Sequence, residues 1–331
     1  MFVLLGICLS LAVLPAFDAL VTLLVIFLWR GIGHRLQYLP AAARANLLLS
    51  LRFLPLVAAC LLVFAFVIPA YLIYEPRETT ERVSFKLAFL AAVSVVFLLL
   101  ATSRFVKAQI ATRSLVKNWL RNSEPLRNYR LPIPVYRLNH RFPVIAVTGV
   151  LRRKLFIANQ IFDLLNNSEI AAAFAHEYAH LKKRDNIKRA LLHSCCDFLS
   201  IIHSGRALDR AWIEASEAAA DENAARDGAE ASLDLASALI KIARIVPENS
   251  RTEMPATVSL MAGDSSAIAL RVRRLTEMAT ADPREKSSIV NWLRSFYYLI
   301  IILMIVALAA LYPYLLSTFH EWIEITVSIL Q

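Results

Sequence analysis

From Phe2 to Trp29 the chain is an apolar run with a single charged residue, Asp18. The run is longer than the roughly 20 residues needed to cross the hydrocarbon core of a bilayer. No basic stretch precedes it and no small-x-small site closes it, so it reads as a membrane-spanning helix rather than a cleaved signal peptide. Phe53 to Tyr74 and Val83 to Ala101 are two further candidate spans, and Ile289 or Trp292 to Leu316 is a fourth. Trp292, Phe296, Tyr297 and Tyr298 near the start of the fourth are residues that favour a membrane interface. Apolar residues make up 58% of the 331-residue chain, above the roughly 45–50% of soluble globular chains. With only 7 Gly and 13 Pro there is little linker or low-complexity character, which excludes a disordered or collagen-like chain.

The formal net charge of +10 could mean nucleic acid, anionic lipid or membrane topology, and the positions of the charges decide. Arg30, Arg35, Arg44 and Arg52 lie between the first two spans without an acid. The next connection holds Glu75, Glu78 and Glu81 against Arg77 and Arg82. After the third span come Arg104, Lys107, Arg113, Lys117, Arg121, Arg127 and Arg130 against Glu124 alone, and the tail holds Glu321 and Glu324. The positive-inside rule then places both termini outside the cell membrane and residues 104–288 in the cytoplasm. The basic segment 104–130 is expected to lie on anionic headgroups as an amphipathic helix, with the bilayer and not nucleic acid as its partner.

Domain organisation follows: 1–103 with three transmembrane helices (2–29, 53–74, 83–101), 104–288 as a cytoplasmic domain, 289–316 as a fourth transmembrane helix, and 317–331 as a short extracytoplasmic tail. The expected fold is an α-helical integral membrane protein carrying a mostly helical α+β domain. Pro132, Pro134 and Pro143 punctuate the domain entry, and Val144–Val150 with Lys154–Ala158 read as a β-hairpin about Gly149–Arg153. Helices are expected from Asn167 or Ser168 to about Asp185, over 211–225, 233–246 and 268–278, with a Pro-punctuated loop over 247–266. The apolar stretch 187–202 is read as one core or membrane-resting helix. The 4 Cys show neither a disulfide framework nor a C-x-x-C pattern, so Cys195 and Cys196 are expected to be packed thiols in a reducing compartment.

His176-Glu177-Tyr178-Ala179-His180 is an H-E-x-x-H arrangement in the middle of an expected helix. Spacing of i and i+4 stacks the two imidazoles on one face, where both can reach a single Zn2+ while Glu177 projects beside its open position. Glu177 would accept a proton from the attacking water and donate it to the leaving amine. A third ligand is needed. Glu217 in Glu217-Ala218-Ala219-Ala220-Asp221 is the leading candidate, with Asp221 one turn on to hold a ligand imidazole from behind, and Glu214 and Glu222 compete. The alanines on both helices keep side chains small where the two must approach. His193 and His203 are expected to be hydrogen-bonded core residues. Asp18, an acid within a span, raises a proton or ion path as a rival function.

The motif His176-Glu177-Tyr178-Ala179-His180-Leu181-Lys182-Lys183-Arg184-Asp185-Asn186, followed by Glu217-Ala218-Ala219-Ala220-Asp221-Glu222, resembles the BlaR/MecR-type antirepressor metallopeptidases. These are membrane gluzincins related to the HtpX and CaaX-prenyl endopeptidases. The resemblance extends from Phe142 through Ile170 and on to Arg271-Val272-Arg273-Arg274-Leu275. It implies a zinc-dependent endopeptidase with His176, His180 and Glu217 as ligands, Glu177 as general base and Asp221 orienting a ligand. It also implies an edge strand around Val144–Val147 on which an extended substrate lies. Arg271 occupies the family's downstream arginine position, serving either transition-state charge or an ion pair. The expected partner is a protein substrate, a repressor or a membrane protein, cut in regulated proteolysis or signalling. Only about fifteen residues follow Leu316, where the family's antibiotic sensors carry a penicillin-binding domain, so direct β-lactam sensing is not expected. Quality-control proteolysis and a non-catalytic, zinc-stapled signal transducer are the alternatives.

Overall fold

Three long helices carry the apolar runs. The computed structural model describes residues 2–76, 83–126, 131–150, 152–245, 265–280, 311–318, 320–322 and 324–325. α1 (Phe2–Ile32) continues through a 3-10 turn to Tyr38, and Pro40 opens α2 (Ala41–Leu62). A π-helical turn at Val63–Val67 leads directly into α3 (Ile68–Tyr74). The wide turn has a chemical cause. Pro69 has no N–H to offer the carbonyl of Ala65 and its ring crowds that group. The Ala65 carbonyl instead accepts from the Tyr312 hydroxyl at 2.7 Å. α4 (Phe85–Arg121) starts at Ser84, whose hydroxyl accepts from the amide of Leu87 at 3.2 Å. Phe2–Tyr38, Ala41–Tyr74 and Phe85–Arg121 are each long and apolar enough to cross a membrane.

These bounds correct two expectations. The basic first loop is largely helix: α2 begins at Ala41, so Arg44 and Arg52 sit within it, and Arg52 is fully buried. The segment from Arg104 to Arg121 is the continuation of α4, about 56 Å of helix at 1.5 Å per residue over its 37 residues. It runs on from the third span instead of forming a separate helix along the headgroups. Of the fourth span, Ile289 to Ala310 lie outside the described residues and 311–318 are helical.

The remaining chain is mixed. β1 (Ser123–Leu126), β2 (Val135–Leu138), β3 (Ile145–Thr148) and β4 (Lys154–Ala158) form a sheet of order β1-β2-β4-β3. β3 and β4 make the expected antiparallel hairpin, and β2 lies parallel to β4. β1 and β2 are hidden by Pro125 within the first and by Pro132 and Pro134 just before the second. Pro125 is tolerated because β1 is an edge strand. Then follow α5 (Asn159–Leu164), α6 (Asn167–Lys183), α7 (Asp185–Ser194), α8 (Phe198–Ile201), α9 (His203–Ala224), α10 (Ala229–Ile245) and α11 (Ser265–Thr280). Most of the expected loop over 247–266 lies outside the described residues.

The expected single helix over 187–202 is two, α7 and α8. Asp197 breaks it by accepting from the amide of Ser200 at 2.8 Å, which starts a new helix. One apolar core joins the sheet to α6, α10 and α11 through Phe156, Ile157, Phe174, Leu239 and Leu275. A second joins Val21 and Val25 of α1 and Leu48 and Leu51 of α2 to Leu208, Trp212 and Ala215 of α9. The helix that carries Glu217 is thereby packed directly on α2, and α8 links it to α1.

Candidate metal centre

α6 begins with a capping box: the Asn166 side chain accepts from the Glu169 amide at 2.8 Å, and Glu169 Oε2 accepts from the Asn166 amide at 2.9 Å. The same carboxylate takes Ser237 Oγ at 2.6 Å and Lys241 Nζ at 2.8 Å from α10, which pins the helix start to the core. Further along α6, the rings of His176 and His180 lie with centroids 4.8 Å apart and Nε2 atoms 3.2 Å apart. Glu217 on α9 brings Oε2 to 3.5 Å from His176 Nε2 and Oε1 to 3.5 Å from His180 Nε2.

Donors bound tetrahedrally to zinc at about 2.0–2.1 Å stand roughly 3.3 Å from one another. The Nε2–Nε2 separation matches that figure, and Glu217 turns one carboxylate oxygen to each ring, so that one donor atom from each of the three residues lies within 4.8 Å of the others. The outer ring nitrogens are also prepared: His180 Nδ1 is 2.8 Å from Asp185 Oδ2, and His176 Nδ1 is 2.9 Å from Asp221 Oδ1. The hydrogen bond to Asp185 fixes the His180 tautomer that leaves Nε2 free for a metal, and Asp221 lies beside His176 Nδ1 as an ion-pair neighbour. Glu217 Oε2 is buried and accepts no hydrogen bond among the described residues. The donor set therefore fits a zinc ion.

The competing ligands separate cleanly. Glu214 is exposed, and Glu222 Oε1 accepts from the amide of Ala41 at 3.3 Å. His193 and His203 are exposed rather than core residues, which corrects the expectation for both. Cys195 is a packed thiol whose pKa burial pushes up to about 12, and the Asp197 carboxylate adds to that. Asp18 is buried, with Oδ2 accepting from the amide of Phe198 at 3.1 Å.

Arg271 donates to both oxygens of Asp221, from Nε at 2.8 Å and Nη2 at 2.7 Å, and Nη1 lies 3.3 Å from Glu217 Oε2. Burial opposes charge throughout this cluster, and ion pairing outweighs it. Arg271 holds Asp221 down to about 2, His180 with its partners holds Glu217 well below the usual carboxylate range, and Glu217 with Asp185 lifts His180 to about 9.

Glu177 is buried between the helix and the sheet, where its Oε2 accepts from the amide of Val147 at 3.0 Å. That amide is available for a reason of register. Val144 pairs with Ala158, so residues 144, 146 and 148 turn their backbone groups to β4, while 145 and 147 turn theirs to the free edge.

Residues 146–252 match the family model described as Peptidase family M48. The chain carries a zinc metallopeptidase domain. The match is at the level of this family, which takes in the HtpX and CaaX-prenyl endopeptidases, and does not extend to the BlaR/MecR subtype. No curated protein matches the chain. Within the peptidase domain, His176, His180 and Glu217 form a cluster that could hold a metal ion.

Three contributors were not foreseen. Asp185 reaches His180 because α6 ends at Arg184 in the left-handed conformation, φ 56°, which folds the next residue back toward the site. Asn186 Nδ2 donates to the carbonyls of Val147 and Gly149 at 2.8 and 3.3 Å, and Arg189 Nη2 donates to Glu217 Oε1 at 2.6 Å. Asp185 and Asn186 stand in the motif itself, but nothing in their spacing announces the reversal at Arg184.

Proposed function

We propose that the protein is an integral-membrane zinc endopeptidase whose domain faces the cytoplasm and cuts a protein substrate in regulated proteolysis. The observation that carries this reading is the His176, His180 and Glu217 cluster, whose donor atoms lie within 4.8 Å of one another, within a segment that matches the M48 model. Zinc held by these residues supplies Lewis acidity, which polarises a carbonyl and makes water acidic near neutral pH. Glu177 then takes a proton from the attacking water and delivers it to the leaving nitrogen. Its Oε1 can do so while Oε2 keeps its bond to the Val147 amide. Asp185 and Asp221 hold the imidazoles, and Arg271 acts through Asp221 as a positioning residue.

The inward orientation rests on the basic residues in the C-terminal half of α4 and just after it, because Arg52 is a buried ion-pair partner and no longer counts as a loop charge. The antirepressor role within regulated proteolysis rests on the motif resemblance, and membrane-protein quality control, with the same chemistry and broader substrates, is the second reading.

Quantitative fragment proteomics on cells carrying wild type or Glu177→Gln, with zinc measured on both purified proteins, tests the proposal. One zinc in each and one or two fragments lost in the variant support a dedicated regulatory protease, and many lost fragments support quality control. Equal zinc with no fragment difference would sink the peptidase reading in favour of a zinc-stapled transducer.

A further inference from the structure

Beside the metal centre a cavity of about 360 Å3 opens between α4, the β3–β4 turn, α7 and α9. Ala111 and Leu115 of α4, Val150, Ala190 of α7, and Trp212 and Ile213 of α9 give it mainly apolar walls. Its volume lies at the small end of the roughly 300–1,000 Å3 of ligand pockets, the scale of a large side chain and its neighbour rather than of a folded partner.

Two of its lining residues reach the site directly. Arg189 bonds Glu217, so the cavity is one side chain away from the metal cluster. Asn186 caps the end of the free edge by occupying the carbonyls of Val147 and Gly149. Since the Val147 amide is taken by Glu177, Ile145 is the position on β3 where a peptide backbone can pair without displacing a described residue. A peptide that pairs at Ile145 and passes Glu177 level with Val147 arrives at Gly149 and Val150. There the backbone ladder is closed and the cavity begins.

Of the polar side chains around the cavity, which include Gln109 and the exposed His193, four are already partnered. Arg189 has Glu217, Asn186 has the β3 carbonyls, Asp209 accepts from Arg52 Nε at 2.9 Å, and Thr112 donates to the Ala108 carbonyl at 2.8 Å. A charged occupant would find little to satisfy it, whereas an apolar one gains about 25 cal/mol per Å2 buried. One wall is α4, and the exposed Phe105, Val106 and Ile110 carry its apolar character past the cavity.

From these observations we infer that the cavity is the specificity pocket of the peptidase, taking a large apolar side chain that flanks the scissile bond on the Gly149 side. The inference deepens the proposed function and rests on it. It selects substrates by an aliphatic or aromatic residue in an extended segment close to the membrane surface.

The test uses the full chain purified in detergent with zinc, and peptide pairs that differ by Phe or Ala at each position flanking the cleaved bond. Wild type is expected to prefer Phe over Ala at one position by on the order of 10-fold or more in kcat/KM. Ala111→Phe, which fills the cavity, abolishes that preference with zinc content intact, and Leu115→Ala, which enlarges it, moves the preference toward Trp. The same peptides are titrated against Glu177→Gln, so binding is read without cleavage. Preferential binding of the Phe peptide without wild-type cleavage keeps the pocket and removes the peptidase reading. Cleavage or binding that is indifferent to the Phe/Ala exchange, or a preference unmoved by both pocket variants, overturns the pocket.

Discussion

Arg271 grips both oxygens of Asp221, at 2.7 and 2.8 Å, on a carboxylate whose Oδ1 also lies 2.9 Å from His176 Nδ1. The ligand imidazole is therefore held through a relay that starts on α11, a helix outside the residues that could touch a zinc ion. Removing the guanidinium leaves a buried carboxylate without the partner that holds it beside His176.

Arg271→Leu is accordingly expected to weaken zinc binding by roughly 10- to 100-fold. Arg271→Lys should recover only part of this, because an ammonium cannot make the two-pronged contact. Competition with a chelator of known affinity measures both. Wild-type affinity in the Leu variant would refute the relay.

Zinc binding itself should depend on pH in a defined direction. Without metal, Glu217 and Asp185 overcome burial and lift His180 to about 9, so the ring is protonated at pH 7 and must lose that proton to offer Nε2. Affinity is expected to rise about tenfold per pH unit from neutrality and to level off near pH 9. Calorimetry at pH 7 in buffers of different ionisation enthalpy should report about one proton released from His180 per zinc. No release would mean that the ring is neutral before the metal arrives.

The H-E-x-x-H pair, Glu217 and Asp221 were readable because helical periodicity alone places i and i+4 on one face. Choosing Glu217 over Glu214 and Glu222 required the facing of α9 against α6, which is set by packing. Asp185 escaped because its approach depends on one left-handed residue, Arg184, with no glycine to mark the turn. Arg52 was misread for a related reason. An arginine between two apolar runs looks like a loop charge until its partners, Asp197 and Asp209, are brought from 145 and 157 residues away.

That buried arginine yields the third prediction. Arg52 donates to Asp197 at 2.7 Å and to Asp209 at 2.9 Å, and Asp209 lies on the same helix as Glu217. Arg52→Ala leaves two acids in a poorly solvated junction, at an expected cost of roughly 3–5 kcal/mol. Arg52→Met combined with Asp197→Asn and Asp209→Asn should recover much of the loss, because the uncompensated charges are gone. Thermal unfolding in detergent separates the two cases, and an unfolding temperature unchanged by Arg52→Ala would show that the network contributes nothing.

The last prediction concerns Gly205, near the start of α9. A Cβ added there would run into the carbonyl oxygen of Leu199, a backbone atom that has no rotamer by which to move aside. Leu199 is fully buried in the core shared by α1, α2 and α9, so α8 cannot retreat without opening that core. The amide of Gly205 also bonds the carbonyl of Ile202 at 3.1 Å, which holds the α8–α9 turn tight. Gly205→Ala would gain about 1 kcal/mol from helix propensity at a free helical site. Here the clash should reverse the sign, giving a net loss of several kcal/mol of the kind seen when a packed interior is overfilled. Displacing α8 would also break the contact of Phe198 with Asp18 and tilt the start of the helix that bears Glu217. The variant should therefore lose thermal stability and zinc affinity together. Proteolytic cleavage between Cys195 and His203 should be faster than in wild type, and a Gly205→Ala protein that unfolds later than wild type would show that α8 is free to move.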